Sequence, residues 1–171
     1  MSTAGETIVI RPIGPDDSID ELTTLLHRSY AGLGNMGLNY TAVDQSAETT
    51  RERLSHGFAF VAIDPQGRLV GTIVFYPPQL STGSPWLERP EVAHFGQFAV
   101  DPALQRRGIG SRLMDLVEEQ ARAVGAEEIA LDTAEPAIHL IELYRRRGYR
   151  FIEYAQWRGK RYRSVIMSKL L

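Results

Sequence analysis

The chain has 171 residues, 43% of them hydrophobic and 23% charged, with a formal net charge of -2. This is the composition of a globular protein, and one domain over residues 1–171 is expected at this length. The balanced charge argues against nucleic acid as a partner, and the absence of cysteine excludes disulfides, thiolate metal sites and a cysteine nucleophile. Without a signal peptide or an apolar run of about 18 residues, we expect a cytoplasmic protein without a membrane partner, and we predict no metal site.

The first half of the chain combines apolar strand patterns with two helical patterns. The β-branched segment "TIVIRPI" at 7–13 predicts a strand. Apolar residues at helical spacing predict a helix that begins near Ile19, and a polar helix is expected at about 44–55, after a glycine-rich loop at 32–39. The segments "FAFVAID" and "RLVGTIVFY" flank the turn "PQG", which predicts a β-hairpin.

The second half begins with a long loop at 77–91, rich in proline, glycine and serine, and loops of this kind are often functional. The segment "VAHFGQFAV" predicts a strand at 92–100, and apolar residues at helical spacing predict a helix from Gly108 to about Val124. Three further strands are expected at "EIALDTA", "YRFIEYA" and "YRSVIMSKL". A short helix is expected between Pro136 and Gly148.

These elements follow the order β-α-α-β-β-β-α-β-α-β-β. The strand–helix–strand unit at 92–134 requires a right-handed crossover between parallel strands, whereas the hairpins require antiparallel pairs. We therefore predict an α/β (α+β) fold, in which a mixed central β-sheet of about seven strands carries helices on both faces.

The segment "QRRGIGSRLMDLVEE" is unusual because two glycines, Gly108 and Gly110, stand at the start of a helix. A helix N-terminus has unpaired N–H groups and a partial positive charge, and glycine allows an anion to approach them closely. Arg106 and Arg107 add positive charge, and Ser111 adds a hydroxyl group. This combination predicts a cradle for phosphate or pyrophosphate. The alternative is that both glycines only allow the helix to pack closely on the sheet.

Two common phosphate-binding motifs do not fit this turn. Leu113 replaces the third glycine of the Rossmann fingerprint, and the Gly-Lys-Ser/Thr of a P-loop is missing. The pattern Gln-x-x-Gly-x-Gly at 105–110 instead resembles the acetyl-CoA pyrophosphate loop of the GNAT superfamily of N-acetyltransferases. The preceding "FGQFAVDP" is similar to that family's pantetheine strand, and "LIELYRRRGYRFI" is similar to its L-Y-x-x-x-G-F segment. These motifs cover about 92–152, and the element order is similar over almost the whole chain.

The resemblance implies acetyl-CoA as a co-substrate, with its pyrophosphate on the backbone of the turn. It also implies that the pantetheine arm pairs with the preceding strand like an extra strand. The N–H of Phe98 would then polarise the thioester carbonyl. The residues implied to bind acetyl-CoA are Phe98, Ala99, Val100, Gln105, Arg106, Arg107, Gly108, Ile109, Gly110, Ser111 and Tyr144.

The catalytic residues are also implied by the resemblance. Tyr144 matches the tyrosine that donates a proton to the leaving thiolate, and its alternative is a core position. His94 is a candidate base because histidine titrates near pH ~6.5, and its alternative is a structural role. Glu91 is the second candidate base, and a base acting through water stays open. Ala137 departs from the family, since many members have an asparagine at that position.

The resemblance implies direct attack by a primary amine in a ternary complex, without a covalent enzyme intermediate. The alternative is a non-catalytic acyl-CoA-binding or regulatory module of the same fold. The acceptor is expected opposite the cofactor, near Tyr30, Met36, Trp86 and the segment "QWRGKR" at 156–161. Trp86 and Trp157 have packing or dimer contacts as an alternative, so a homodimer stays open. Both a small molecule and a protein amine stay open as acceptor.

Overall fold

The computed structural model describes residues 7–171. Its strands are Val9–Pro12 (β1), Phe58–Ile63 (β2), Leu69–Tyr76 (β3), Val92–Val100 (β4), Glu128–Ala134 (β5), Arg150–Ala155 (β6) and Ser164–Leu170 (β7). Its α-helices are Ile19–Asn35 (α1), Ala47–Ser55 (α2), Ile109–Ala123 (α3) and Ile138–Arg146 (α4). The predicted order of strands and helices is confirmed.

The strands form one seven-stranded sheet in the order β1-β2-β3-β4-β5-β7-β6. All neighbouring pairs are antiparallel except β4 and β5, which are parallel and are connected through α3. The sheet is therefore mixed, as predicted. Among residues 7–171, no helix combines the length and the apolar character needed to cross a membrane.

The helices cover both faces of the sheet, which can be read from successive residues of β2. Phe60 clusters with Leu113 of α3, whereas its neighbour Val61 clusters with Leu22 and Leu25 of α1. Since successive strand residues point to opposite faces, α1 and α3 lie on opposite sides of the sheet. The prediction of helices on both faces is confirmed.

The two parallel strands separate after a short paired segment. Val92 to His94 pair with Glu128 to Ala130, whereas β3 and β7 accompany β4 and β5 to their ends. A β-bulge in β4 follows soon after His94, the last residue that pairs with β5. It is seen in a shift of the β3–β4 register and in the φ of 47° at Gln97. Bulges bend the strand that carries them, so this one is placed to turn β4 away from β5.

Candidate functional site

A cavity of about 360 Å³ lies where β4 and β5 separate. Its walls come from β4, β5, α1, α4, the α2 region and the connection between β6 and β7. The side chains on these walls include Tyr30, Tyr40, Arg53, Asp132, Tyr144, Trp157, Arg158, Lys160 and Tyr162. Concave sites that collect polar and aromatic groups from distant parts of a chain are typical binding sites.

Within residues 7–171, the backbone of β4 has no partner strand beyond His94 on the side facing β5. The Phe98 carbonyl accepts from the Tyr30 hydroxyl at 2.9 Å, and the Val100 carbonyl accepts from Ser29 Oγ at 3.1 Å. The Asp101 N–H, in contrast, donates to a β3 carbonyl at 2.8 Å. Because the N–H and C=O of a strand residue point to one edge and the edges alternate, Phe98 and Val100 face away from β3. The backbone of Ala99 faces β3, which makes it less suited to pair with an added strand.

The turn before α3 uses its two glycines differently. Gly108 is the N-cap residue, has a φ of 83°, and gives the helix no side-chain cap. A Cβ on Gly108 would have open space around it, so the left-handed backbone is what favours glycine. A Cβ on Gly110 would lie 3.3 Å from the Phe98 ring, so this glycine allows α3 to pack closely on β4. The packing alternative thus applies to Gly110, whereas Gly108 shapes the exposed start of the helix.

Tyr144 is both a core residue and a wall of the cavity. Its ring is 8% exposed and makes edge contacts with Phe95 and Tyr149 at centroid distances of 6.4 and 6.1 Å. Burial raises the pKa of Tyr144, and the nearby Tyr30, Tyr40 and Asp132 raise it further. The phenol therefore remains protonated at neutral pH and is available as a donor.

The two candidate bases do not line the cavity. His94 is at the last position where β4 pairs with β5, and its ring stacks on Tyr76 at 4.3 Å with Nδ1 2.8 Å from Ser81 Oγ. Burial lowers the pKa of His94 to about 4, so the imidazole is neutral and only weakly basic. Glu91 precedes β4 and forms an ion pair with Arg89 at 2.7 Å. These contacts are those of a structural histidine, which was the alternative to a catalytic base for His94. Glu91 lies outside the cavity.

Of the three predicted acceptor residues, Tyr30 lines the cavity, whereas Met36 and Trp86 do not. Met36 is exposed at the C-terminal cap of α1. Trp86 packs in a cluster around Leu87, with the guanidinium of Arg89 4.5 Å from its ring centroid. The loop at 77–91 borders a separate surface depression, so its glycine- and proline-rich composition did not locate the cavity.

The segment "QWRGKR", predicted to border the acceptor, contributes Trp157, Arg158 and Lys160 to the wall of this cavity. The Trp157 ring packs over Gly83, where an added Cβ would lie 2.6 Å from the indole. Gly83 also has a φ of 109°, which favours glycine. The missing side chain makes room for the tryptophan, and the backbone conformation is a second reason for glycine at this position.

Asp132 is a cavity residue that was not predicted from the sequence. It lies on β5, is open to solvent from the cavity, and accepts a hydrogen bond from the Trp157 indole N–H at 2.9 Å. Although the carboxylate is reached by solvent, the protein atoms around the cavity partly desolvate it and raise the pKa of Asp132, against smaller opposing effects of Trp157 and Arg53. Asp132 stands in the middle of the mostly apolar strand "EIALDTA", and this position was the available signal, since the middle of an apolar strand rarely holds a charge.

Tyr40 connects two walls of the cavity. Its hydroxyl lies 2.9 Å from Thr133 Oγ1 and accepts the Ala134 N–H at 2.9 Å, so it bonds to β5 beside the separation. Its ring contacts Tyr30 and Tyr162 at centroid distances of 5.6 and 5.2 Å. The three tyrosines give one side of the cavity a continuous aromatic surface.

Comparisons with known proteins agree with this geometry. Residues 19–149 match the model of the acetyltransferase (GNAT) family. The chain is 28% identical over 157 residues to S-(2-succino)cysteine N-acetyltransferase of Bacillus subtilis (strain 168), covering 89% of this chain and 90% of that protein. The chain therefore belongs to the GNAT acetyltransferase family, and it is an acyltransferase.

Solved structures share the fold at low sequence identity. A crystal structure from Pyrococcus horikoshii has a TM-score of 0.75 at 22% identity, with 96% of this chain and 99% of that chain covered. A GNAT family acetyltransferase from Elizabethkingia anophelis with acetyl-CoA bound has a TM-score of 0.66 at 20% identity, with 96% and 98% covered. The GNAT-like mixed sheet is thus confirmed.

Proposed function

We propose that the chain transfers an acetyl group from acetyl-CoA to a primary amine, by direct attack of the amine in a ternary complex. The observation that carries this proposal is the separation of β4 and β5, which leaves the backbone of Phe98 and Val100 on an open edge near Tyr144. Family membership supports acetyl-CoA as the co-substrate. A non-catalytic acyl-CoA-binding or regulatory module of the same fold is the alternative that experiment must exclude.

The residues around the separation fit acetyl-CoA. Pantetheine is an extended chain with amide groups, and the edge at Phe98 and Val100 offers it backbone N–H donors, since both carbonyls already accept side-chain hydroxyl groups. Gly108 leaves the first N–H groups of α3 accessible to a pyrophosphate, and Arg106 and Arg107 add positive charge. We therefore retain Phe98, Val100 and residues 105–111 as the proposed contacts of this co-substrate, and we leave out Ala99 because its backbone faces β3.

Tyr144 and the Phe98 N–H are proposed to act on the thioester, which supplies the acetyl group. The N–H donates to the carbonyl oxygen as negative charge develops there. Attack by the amine nitrogen forms the C–N bond, and cleavage of the C–S bond releases a thiolate. Tyr144 donates its phenol proton to that sulfur. The position of Tyr144 in the cavity and its protonated phenol support this role.

Asp132 is proposed as the base, directly or through a water molecule, in place of His94 and Glu91. The attacking nitrogen must lose the extra proton of its ammonium form before attack and a second proton once the C–N bond forms. Among the described residues, Asp132 is the carboxylate on the cavity wall, and a raised pKa makes a carboxylate a better proton acceptor. A carboxylate there also attracts the ammonium form of the acceptor.

The acceptor is proposed to be a small molecule. The named substrate of the Bacillus subtilis relative, S-(2-succino)cysteine, supports this choice, as does a cavity of about 360 Å³. A small amine can enter such a cavity completely, whereas a protein amine would need an extended groove beside it.

Two measurements test the proposal together. Calorimetry with acetyl-CoA measures binding, and a thiol-reactive dye measures the release of CoA with a panel of amines that includes S-(2-succino)cysteine. We expect binding together with amine-dependent CoA release. Binding without release on any amine would favour the non-catalytic module, and absence of binding would refute both functions.

A further inference from the structure

The cavity carries more positive than negative charge. Arg53 of α2, together with Arg158 and Lys160 from the β6–β7 connection, lines it, whereas Asp132 is the carboxylate among the lining residues. Three cations therefore face one anion, in a protein whose formal net charge is -2. This local excess is opposite in sign to the chain as a whole.

These cations differ from many other cationic residues of the described chain because no protein carboxylate neutralises them within ion-pair distance. Arg11, for example, pairs with its carboxylate at 2.7 Å. Arg53 instead donates to the neutral Gln45 Oε1 at 2.7 Å, and Lys160 donates to the Asn39 carbonyl at 2.7 Å. Burial, followed by repulsion from Arg53, lowers the pKa of Lys160. Unneutralised cations in a concave site favour an anionic ligand.

Arg53 is held in place by a buried polar network. Its partner Gln45 is 5% exposed and donates from Nε2 to Thr50 Oγ1 at 2.7 Å and to Gln97 Oε1 at 3.2 Å. Gln97 is the bulge residue of β4, so the arginine is linked to the strand that separates from β5. A guanidinium fixed in this way loses little freedom when it binds a ligand.

The phosphates of acetyl-CoA do not account for this charge. The proposed pyrophosphate contacts at residues 105–111 contribute nothing to the cavity wall. Arg53, Arg158 and Lys160 instead lie with Asp132 and the tyrosine surface, on the walls assigned to the acceptor.

We propose that the acceptor is a primary amine that also carries at least one carboxylate group, which Arg53 and Arg158 bind. This inference rests on the proposed function. Guanidinium groups bind carboxylates through paired charge-assisted hydrogen bonds, and Arg158 has no side-chain partner among the described residues. Lys160 adds positive charge, and Asp132 attracts the ammonium group at the other end of the molecule. The acceptor is therefore expected to carry opposite charges at its two ends.

The test compares matched acids and amides. The substrates are L-phenylalanine and L-phenylalaninamide, L-glutamate and its diamide, and spermidine as a carboxylate-free amine. CoA release gives kcat/KM, and calorimetry in the presence of CoA gives Kd for each compound. We expect acids to exceed amides by about tenfold or more on both scales, because a hydrogen bond to a charged group is lost in each amide. Equal values, a preference for amides or spermidine, or no binding of any acid would overturn the proposal.

Arg158→Gln tests the role of the cation without endangering the fold, since its side chain is exposed. We expect the acid-to-amide ratio to fall toward one. Arg161→Gln is the matched control, because Arg161 is an exposed arginine of the same connection outside the cavity wall, and the ratio should be unchanged. If acids bind better than amides but no amine is acetylated, carboxylate binding by Arg53 and Arg158 stands and the proposed transfer fails. If amides are acetylated as well as acids, the transfer stands and the inference fails.

Discussion

The indole N–H of Trp157 donates to Asp132 Oδ2 over 2.9 Å, joining the β6–β7 connection to the strand that borders the cavity. This bond opposes the increase that burial causes in the pKa of Asp132. Trp157 therefore connects two parts of the proposed site, because it lowers the proton affinity of the proposed base while Arg158, its neighbour, lines the same cavity.

Trp157→Phe should raise the pKa of Asp132, because the aromatic surface remains but the hydrogen-bond donor is lost. The active form of a base is deprotonated, so activity falls as the pH drops below its pKa. We expect the acidic limb of the kcat/KM profile to move to higher pH by about 0.5 to 1 pH unit. A shift of this size corresponds to the free energy that one such hydrogen bond contributes. Trp86→Phe, which alters a tryptophan outside the cavity, should leave that limb in place. If the acidic limb does not move in Trp157→Phe, the hydrogen bond from Trp157 does not affect the group that titrates in that limb.

Asp132→Asn tests the base itself, because asparagine keeps the shape and loses the proton acceptor. We expect kcat/KM for the amine to fall by about 100-fold or more, with little change in acetyl-CoA affinity measured by calorimetry. Glu91→Gln, at the base candidate outside the cavity, should change the rate by less than about twofold, as expected for a residue away from the chemistry. If Glu91→Gln lowers kcat/KM more than Asp132→Asn does, Glu91 is the better candidate for the general base.

The fold was predictable because its signals are local. Helical spacing, strand alternation and the strand–helix–strand rule together led to the observed element order and to the one parallel pair, β4 with β5. The extent of that pairing was not predictable, since it depends on the bulge at Gln97. A left-handed backbone at a glutamine leaves no mark in an alternating apolar pattern.

The site was predictable only in part. Residues next to one another in sequence, such as the turn around Gly108 and the "QWRGKR" segment, could be recognised as local motifs. Tyr40 and Thr133, by contrast, are 93 positions apart and meet only through the folded sheet. His94 was correctly placed on the strand that borders the cavity, but the sequence did not show that its ring stacks on Tyr76 outside the cavity.

Tyr144→Phe should reduce kcat by about 100-fold or more while the KM for acetyl-CoA changes little, because only the proton donor to the sulfur is removed. The ring contacts with Phe95 and Tyr149 remain, so the melting temperature should stay close to that of the original chain. Tyr149→Phe is a useful comparison, since that hydroxyl donates to Glu118 at 3.1 Å in the core. It should lower stability more than turnover. Full activity in Tyr144→Phe would leave the tyrosine with only its packing role.

Gly108→Ala and Gly125→Ala form a matched pair at the two ends of α3. Both glycines have left-handed backbones, with φ of 83° and 81°, and both have open space where a Cβ would lie. Each alanine should therefore cost a similar free energy of unfolding, about 1 to 2 kcal/mol. We expect only Gly108→Ala to weaken acetyl-CoA binding, by about tenfold, because the added methyl group hinders close approach of the pyrophosphate to the N–H groups of the turn. Equal affinities in calorimetry would show that the turn does not bind the co-substrate.

His94 should make the folded chain less stable in mild acid. Its pKa is about 4 in the folded state and near its ordinary value of 6.5 when unfolded, so unfolding takes up a proton between these values. The stabilisation is fully present above about pH 6.5 and is lost as the pH falls toward 4, by up to about 3 kcal/mol.

Urea unfolding of His94→Gln at pH 7.5, 6 and 5 tests this assignment. The free energy of unfolding should depend less steeply on pH than in the original chain, because the buried titrating group is gone. His56→Gln, at the exposed end of α2, should keep the original slope. If both variants keep that slope, a group other than His94 controls the acid sensitivity. A flattened slope in His94→Gln alone would support a buried imidazole that is neutral in the folded chain.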